Sequence, residues 1–161
     1  MKKLLFIFIL LFSINSFSQC VGNQTSTITP AGPYLPGDIV TVNYTLHSFT
    51  QINVNWIHAF EINLGPGWTN LTPGASPVDC FITTSGQWLW MTTTTSTNTG
   101  VTVGPGWFYE FGGTNPPFNG NPGDDWGDFG ETCIWSFCFD VTVVNSCNPF
   151  DLTIQVTAGG D

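Results

Sequence analysis

Apolar and polar side chains alternate along four segments of the chain, residues 39–46, 53–64, 133–144 and 151–157. In the first segment, IVTVNYTL, every second residue is apolar or aromatic: Val40, Val42, Tyr44 and Leu46. A period of two places successive side chains on opposite faces of a strand, so that one face can be buried and the other solvated. The four segments therefore predict β-strands. The stretch QWLWM likewise puts Trp88 and Trp90 on one face of a strand.

Turn-forming residues separate these segments, as in PAGPYLPGD before residue 39 and in the long turn-rich region 112–130. No stretch after the N-terminal region has helical periodicity. Short strands divided by Gly, Pro and Asn clusters are typical of antiparallel sandwiches. We therefore predict an all-β fold, an antiparallel β-sandwich of about seven to nine strands, in a single domain over residues 19–161.

The N-terminus, MKKLLFIFILLFSINSFS, has the form of a secretory signal peptide. A basic start is followed by an apolar run that is too short to span a bilayer, and then by a small-x-small pattern. We predict a signal peptide over residues 1–18, with cleavage after Ser18. The alternative is lipid modification at Cys20, which the bulky Gln19 disfavours. The expected location is secreted or cell-surface, with no transmembrane span in the mature chain.

Removal of that segment removes the only lysines, Lys2 and Lys3, and the chain has no arginine. All eleven carboxylates remain. Nucleic acid is excluded as a partner because phosphates need a basic surface, and an anionic membrane would repel the chain. Every buried carboxylate must therefore be hydrogen-bonded, protonated or bound to a metal ion.

An acidic loop, GNPGDDWGDFGETC, lies in the turn-rich region. Its carboxylates are Asp124, Asp125, Asp128 and Glu131. Calcium prefers several oxygen ligands from a flexible loop, so these four side chains predict a calcium site. Their spacing differs from that of an EF-hand loop. The alternative is a solvated acidic loop without a bound ion.

Three tryptophans lie in or beside turns: Trp68, Trp107 and Trp126. Exposed aromatic rings can stack on sugars or anchor a protein partner, so these three are candidate ligand-binding residues. In the alternative they fold back and cap the ends of the sandwich. Trp56 and Trp135 lie on the apolar faces of predicted strands, where packing explains them.

Export permits disulfides, and the five cysteines are candidates for them: Cys20, Cys80, Cys133, Cys138 and Cys147. The odd number leaves at least one without a partner in the chain, and the sequence does not choose the connectivity. Cys133 and Cys138 lie an odd number of residues apart on one predicted strand. They therefore face opposite sides and should not pair with each other.

No motif for a nucleophile elbow, a zinc-protease helix, a phosphate loop or a haem site occurs, and we expect no enzymatic activity. The weakest alternative is a small hydrolase that uses two carboxylates of the acidic loop. The threonine run at 91–103 could order water on a flat sheet, but a single run favours an exposed edge or hairpin.

Several stretches, PGDIVTVNYTL, WIHAFEINLGPGWTNLTP, GNPGDDWGD, CIWSFCFDVTVVNSC and DLTIQV, carry a resemblance to a known group. Over residues 20–157 the chain resembles β-sandwich modules of secreted and cell-surface proteins of Bacteroidetes, especially flavobacteria. The Pro-Gly-Asp before the first of these strands is similar to that of cohesin-like and immunoglobulin-like modules. The resemblance implies an immunoglobulin-like or cohesin-like sandwich, often part of a larger adhesin. We expect either a free domain or the front piece of a longer surface protein.

These observations lead to one expected function and its alternatives. We expect a secreted, non-enzymatic binding or adhesion module with an extracellular protein or glycan as its partner. The alternative is a carbohydrate-binding module with the loop tryptophans as its platform.

Overall fold

The computed structural model describes residues 23–49, 57–78, 80, 86–95, 102–110, 127–128, 133–145 and 151–160. These residues form ten strands and no α-helix. The strands are β1 (Gln24–Thr29), β2 (Ile39–Leu46), β3 (Ile57–Leu64), β4 (Trp68–Pro73), β5 (Gln87–Met91), β6 (Thr94–Thr95), β7 (Thr102–Val103), β8 (Gly106–Glu110), β9 (Trp135–Val143) and β10 (Ile154–Gly160).

Two four-stranded sheets contain most of these strands. The first sheet has the order β1-β2-β9-β4 and the second the order β10-β3-β8-β5, while β6 and β7 form a small separate hairpin. Every pairing is antiparallel. The all-β, antiparallel sandwich that the alternation predicts is therefore confirmed.

The core is a layer of aromatic side chains between the two sheets. Phe60 of β3 stacks on Phe137 of β9 with ring centroids 3.9 Å apart and planes inclined by 5°. Trp88 of β5 meets the same Phe137 edge-on at 5.3 Å. Trp107 of β8 lies 6.4 Å from Phe139 of β9. Because aromatic rings bury 150–250 Å² each, roughly, this layer supplies much of the apolar area that holds the sheets together.

The strand β9 shows how the alternation produces this layer. Its buried residues are every second one, from Trp135 to Val143, and the residues between them lie on the outer face of the sheet. β2 pairs with β9 along its whole length, from Ile39 opposite Thr142 to Leu46 opposite Trp135. Its side chains therefore alternate in phase with those of β9, and Val40, Val42 and Leu46 are buried.

Two turns of the same sequence, GPGW, lead into β4 and β8. In each, the second glycine packs against a neighbouring backbone. A Cβ at Gly67 would lie 2.8 Å from the carbonyl oxygen of Asp151, and a Cβ at Gly106 would collide with the carbonyl oxygen of Phe60. Glycine therefore lets both strands begin very close to a neighbouring segment, and the tryptophan that follows it is buried.

Candidate functional site

A buried carboxylate, that of Asp128, joins the two sheets. Its side chain is 1% exposed. The Nε1–H of Trp135 in β9 donates to Oδ2 at 2.7 Å, and the Nε1–H of Trp88 in β5 donates to the same oxygen at 3.0 Å. The backbone N–H of Cys80 lies 3.1 Å from Oδ1 and 3.2 Å from Oδ2. The backbone N–H of Asp128 donates to the carbonyl oxygen of Ile57 at 2.7 Å.

Neutral donors also hold three other described carboxylates. Asp38 accepts the backbone N–H of Leu35 at 2.7 Å, and Glu61 accepts that of Gly104 at 2.9 Å. The hydroxyl of Thr41 donates to Asp140 at 2.6 Å. The chain has no Lys or Arg after residue 3. Backbone amides, indoles and hydroxyls therefore donate to these carboxylates, as cationic side chains usually do.

The partners of Asp128 differ from those predicted for a calcium ligand. The sequence had predicted that this carboxylate would bind a calcium ion. Both carboxylate oxygens instead accept hydrogen bonds from N–H donors, and the site is closed to solvent. The reason is its register, since Asp128 forms a bridge to Ile57 at the start of β3 and so enters the sandwich. The other three predicted ligands, Asp124, Asp125 and Glu131, lie outside the described residues. Within the described part of the chain, no three potential metal-ligating side chains come together.

A disulfide between Cys80 and Cys133 lies beside this carboxylate. The two Cα atoms are 6.1 Å apart, and the bridge closes a loop of 53 residues in sequence separation. The prediction that Cys133 and Cys138 do not pair is confirmed, because Cys138 is a free thiol on the outer face of β9. Cys20 and Cys147 lie outside the described residues.

The free thiol of Cys138 has a raised pKa. Its partial burial raises the pKa of the thiol, and the nearby negative charge of Asp140 raises it further. The thiolate is the nucleophilic form, so a raised pKa reduces reactivity at neutral pH.

Two of the three tryptophans predicted as a ligand platform lie in the core. Trp107 is 0% exposed and Trp68 is 7% exposed. Trp107 packs against Trp90 at a centroid distance of 4.7 Å, and Trp68 packs against Tyr34 at 5.9 Å. Neither ring is available as an exposed platform, and the close-packed glycine before each of them explains why. Trp126 lies outside the described residues.

The outer face of the first sheet carries an array of hydroxyl groups. Its rows follow from the strand register, for example Thr25–Thr45–Ser136 and Thr29–Thr41–Asp140–Thr72. We call it the hydroxyl face, and its residues are Thr25, Thr27, Thr29, Thr41, Asn43, Thr45, Thr69, Thr72, Ser136, Cys138, Asp140 and Thr142. Each is exposed or partly exposed. Asp140 is its one carboxylate, and the exposed Ile39 adjoins the face opposite Thr142.

Sequence reasoning missed this face. It considered an ordered threonine surface only for the run at 91–103 and favoured an exposed edge or hairpin there, and the described threonines of that run form the short β6–β7 hairpin. The signal was present in the polar half of each alternating strand, Thr41, Asn43 and Thr45 in β2 and Ser136 and Thr142 in β9. Only the pairing of the strands brings these half-patterns together into one surface.

Comparison with known proteins yields no relatives. A scan against protein-family models, a search of curated proteins and a search of solved structures each found no match to this chain. Among the residues that the structure describes, no helix has the length and apolar character needed to cross a membrane.

Proposed function

We propose that this chain is a secreted or cell-surface binding module, without enzymatic activity, that adheres to neutral extracellular glycans through the hydroxyl face. The main support for the proposal is the arrangement of the hydroxyl face. Hydroxyl and amide groups from four adjacent strands are presented on one side of a sheet that is anchored on the other side by an aromatic core.

The chemistry of the face favours a neutral partner. Hydroxyl groups both donate and accept hydrogen bonds, as sugar hydroxyls do. The face has no Lys or Arg side chain, and the hydroxyl of Thr25 is hydrogen-bonded to Nε2 of the neighbouring His47 at 2.9 Å. Thr41 already donates to its one carboxylate, Asp140. An anionic polymer would find no counter-charge there, and a neutral polyhydroxylated polymer would need none.

A glycan suits the face better than a protein does. Protein interfaces usually take most of their binding energy from Trp, Tyr and Arg anchors. The hydroxyl face has none of these, and the exposed Ile39 stands at its end, opposite Thr142. Repeated hydrogen bonds to a repeating polymer can add up over many rows, because a polymer offers the same groups again and again.

Export is part of the proposal. The signal-like N-terminus supports secretion, and the Cys80–Cys133 bridge is of a kind that persists in oxidising compartments. A surface built from neutral donors also tolerates the variable ionic strength outside a cell better than a surface of ion pairs, which salt screens.

A pull-down on insoluble cellulose, chitin and mannan tests the proposal. We expect the chain to be retained on at least one of these polymers and to be released by its soluble oligosaccharide. The double variant Thr27→Val, Thr45→Val removes two hydroxyls while it keeps side-chain shape, and it should lose most of the retention. Thr102→Val, in the separate β6–β7 hairpin, is the matched control and should bind like the unmodified chain.

Two results would count against the proposal. One is the absence of retention on all three neutral polymers. The other is equal retention of the double variant and the unmodified chain, which would place the contact elsewhere.

A further inference from the structure

The strand β1 is an open edge of the first sheet. All six of its residues are exposed, and it pairs with β2 in a regular register from Gln24 opposite Leu46 to Thr29 opposite Thr41. Among the described residues, no strand pairs with its other side. An edge strand presents a row of unpaired N–H and C=O groups, which is a template for another strand.

One hydrogen bond shows which groups point outwards. The N–H of His47 donates to the carbonyl oxygen of Asn23 at 2.7 Å, so Asn23 is directed towards β2. In an antiparallel ladder the direction alternates with each residue. Thr25, Thr27 and Thr29 therefore exchange hydrogen bonds with β2, and the N–H and C=O groups of Gln24, Ser26 and Ile28 point away from the sheet.

The other edge of the same sheet is protected. In β4 the register with β9 is interrupted between Thr69 and Thr72, and Asn70 between them has a positive φ of 53°. The strand ends at Pro73, which has no N–H. A bulge and a proline are devices that block strand addition, and β1 has neither between Gln24 and Thr29.

An open cavity adjoins the exposed edge. It has a volume of about 200 Å³ and is lined by Ser26, Ile28, Val42, Tyr44, Trp68, Leu152 and Ile154. The side chain of Ile28 is 45% exposed although it lies on the inner side of the sheet. Within the part of the chain that the structure describes, the edge of β1 therefore combines unpaired backbone groups with an apolar side chain that is only half covered.

We propose that β1 pairs with β1 of a second copy of this chain, antiparallel, so that the two first sheets become one continuous sheet. Outward-pointing residues must lie opposite outward-pointing residues. The register that puts Ser26 opposite Ser26 of the second copy also puts Gln24 opposite Ile28. In that register every outward N–H and C=O group of these three residues finds a partner.

A register shifted by two residues towards Pro30 is less favourable. It would place Gln24 opposite Pro30, which has no N–H to donate. The two-fold axis therefore passes beside Ser26, perpendicular to the sheet. Such an isologous contact closes on itself and yields a dimer, where a head-to-tail contact would yield a fibre.

Electrostatic repulsion between two copies is weaker at this edge than at most of the remaining surface. The chain has a formal net charge of −9, so two copies repel one another in general. β1 carries no charge, and Asp140 lies two strands away through Thr41. Five strand spacings of about 4.8 Å separate the two Asp140 side chains, which would therefore be at least about 24 Å apart, beyond the Debye length of about 8 Å at physiological salt.

The pairing does not depend on what the hydroxyl face binds, but it has a consequence for binding. A two-fold axis perpendicular to the sheet leaves both hydroxyl faces on the same side, joined through Thr25, Thr27 and Thr29. Two joined faces bind a polymer with higher avidity than one face does. A single strand pair buries less than the roughly 1,200 Å² of a standard interface, so we expect a dimer that dissociates on dilution.

Sedimentation velocity of the purified chain over a range of concentrations tests the pairing. We expect a concentration-dependent shift from monomer to a species of twice the mass. Ser26→Pro removes an N–H that β2 does not use and places a ring on the open edge, so it should abolish the dimer. Its melting temperature and near-ultraviolet circular dichroism should stay close to those of Ser26→Ala, which should still dimerise.

A charge-swap experiment tests the register without proline. Ser26→Glu or Ser26→Lys puts two like charges directly opposite each other, and each variant alone should dimerise at least about tenfold more weakly. Mixing the two variants should restore the dimer. A monomeric unmodified chain, a dimer that survives Ser26→Pro, or a mixture that stays monomeric would each overturn the proposal. So would a monomer that takes up only a foreign extended peptide at β1.

Discussion

The indole Nε1–H of Trp135 donates a 2.7 Å hydrogen bond to Oδ2 of Asp128, seven residues earlier in the chain. Trp135 belongs to the first sheet, and Trp88 in the second sheet donates to the same oxygen. One carboxylate thus connects both layers of the sandwich. Removing Asp128 leaves buried N–H donors unpaired, and removing either tryptophan leaves the buried carboxylate with fewer donors. The complete contact therefore contributes more to stability than its separate hydrogen bonds suggest.

Replacing Asp128 with asparagine should destabilise the fold. The amide oxygen can still accept from both indoles, as Oδ2 does now, but the NH₂ group then faces the backbone N–H of Cys80. An unsatisfied buried donor costs about 1–3 kcal/mol, so we expect a loss of about 3 kcal/mol in the free energy of unfolding. Urea denaturation followed by tryptophan fluorescence measures it.

Asp140→Asn is the matched control for that substitution. Asp140 is only partly buried, and an asparagine there can still accept the hydroxyl of Thr41. We expect a change within about 1 kcal/mol. Equal losses for the two variants would mean that the indole contacts of Asp128 have no special role.

Removal of the Cys80–Cys133 bridge should also destabilise the chain strongly. For a sequence separation of 53 residues, loop-closure entropy predicts a loss of about 4 kcal/mol on replacing both cysteines with alanine. Cys138→Ala, in contrast, removes a free thiol on the outer face and should have a small effect. Comparable losses in the two variants would indicate that the stabilisation comes from packing and not from the cross-link.

Cys138 should react slowly with iodoacetamide at neutral pH. Burial, and secondly the charge of Asp140, raise the pKa of its thiol, so the thiolate fraction at pH 7 is smaller than for a free cysteine. The rate should rise as the pH increases through the raised pKa. Asp140→Asn removes one of the two causes and should increase the rate at a fixed pH. Mass spectrometry of the chymotryptic peptide that contains Cys138 measures the rate, and an unchanged rate in the variant would contradict the electrostatic part.

Calcium binding by the acidic loop remains a prediction, now without Asp128. We expect the melting temperature to rise in millimolar calcium and to fall in chelator, because an ion that binds only the folded chain stabilises it. Asp125→Asn should remove the calcium-dependent rise, whereas Asp128→Asn should lower the melting temperature and keep the rise. The absence of any calcium effect on the unmodified chain would remove the site.

Strict alternation made some of the fold predictable. Residues 39–46 form β2 with the predicted bounds, and β9 lies within the predicted 133–144. The same alternation predicted correctly that Trp88 and Trp90 share one face. These strands have one buried face and one exposed face, which is the arrangement that period-two reasoning detects.

Other strands gave no such signal. All five residues of β8 are buried, so its sequence GWFYE has no polar half to mark a face. β1 has the opposite composition, with Ile28 as its only large apolar residue. Trp68 and Trp107 were misplaced for a further reason, since a Gly-Pro turn indicates a loop but does not show that the residue after it faces the core.

The Asp128 site could be anticipated only in part. A chain without cations had to hold its buried carboxylates with something else, and the sequence indicated that need. The identity of the donors depends on Trp88 and Trp135 lying in different sheets, 40 and 7 residues from Asp128. No local pattern in the sequence encodes that proximity.

Neutral N–H groups, and not cations, hold the buried Asp128 carboxylate. The most direct test is the indole region of a ¹H–¹⁵N correlation spectrum of the chain and of Asp128→Asn. We expect the Nε1–H signals of Trp88 and Trp135 to lie downfield, to exchange slowly with solvent, and to move in the variant, while that of Trp107 stays in place. Indole signals of Trp88 and Trp135 that exchange rapidly and do not respond to the substitution would contradict the account.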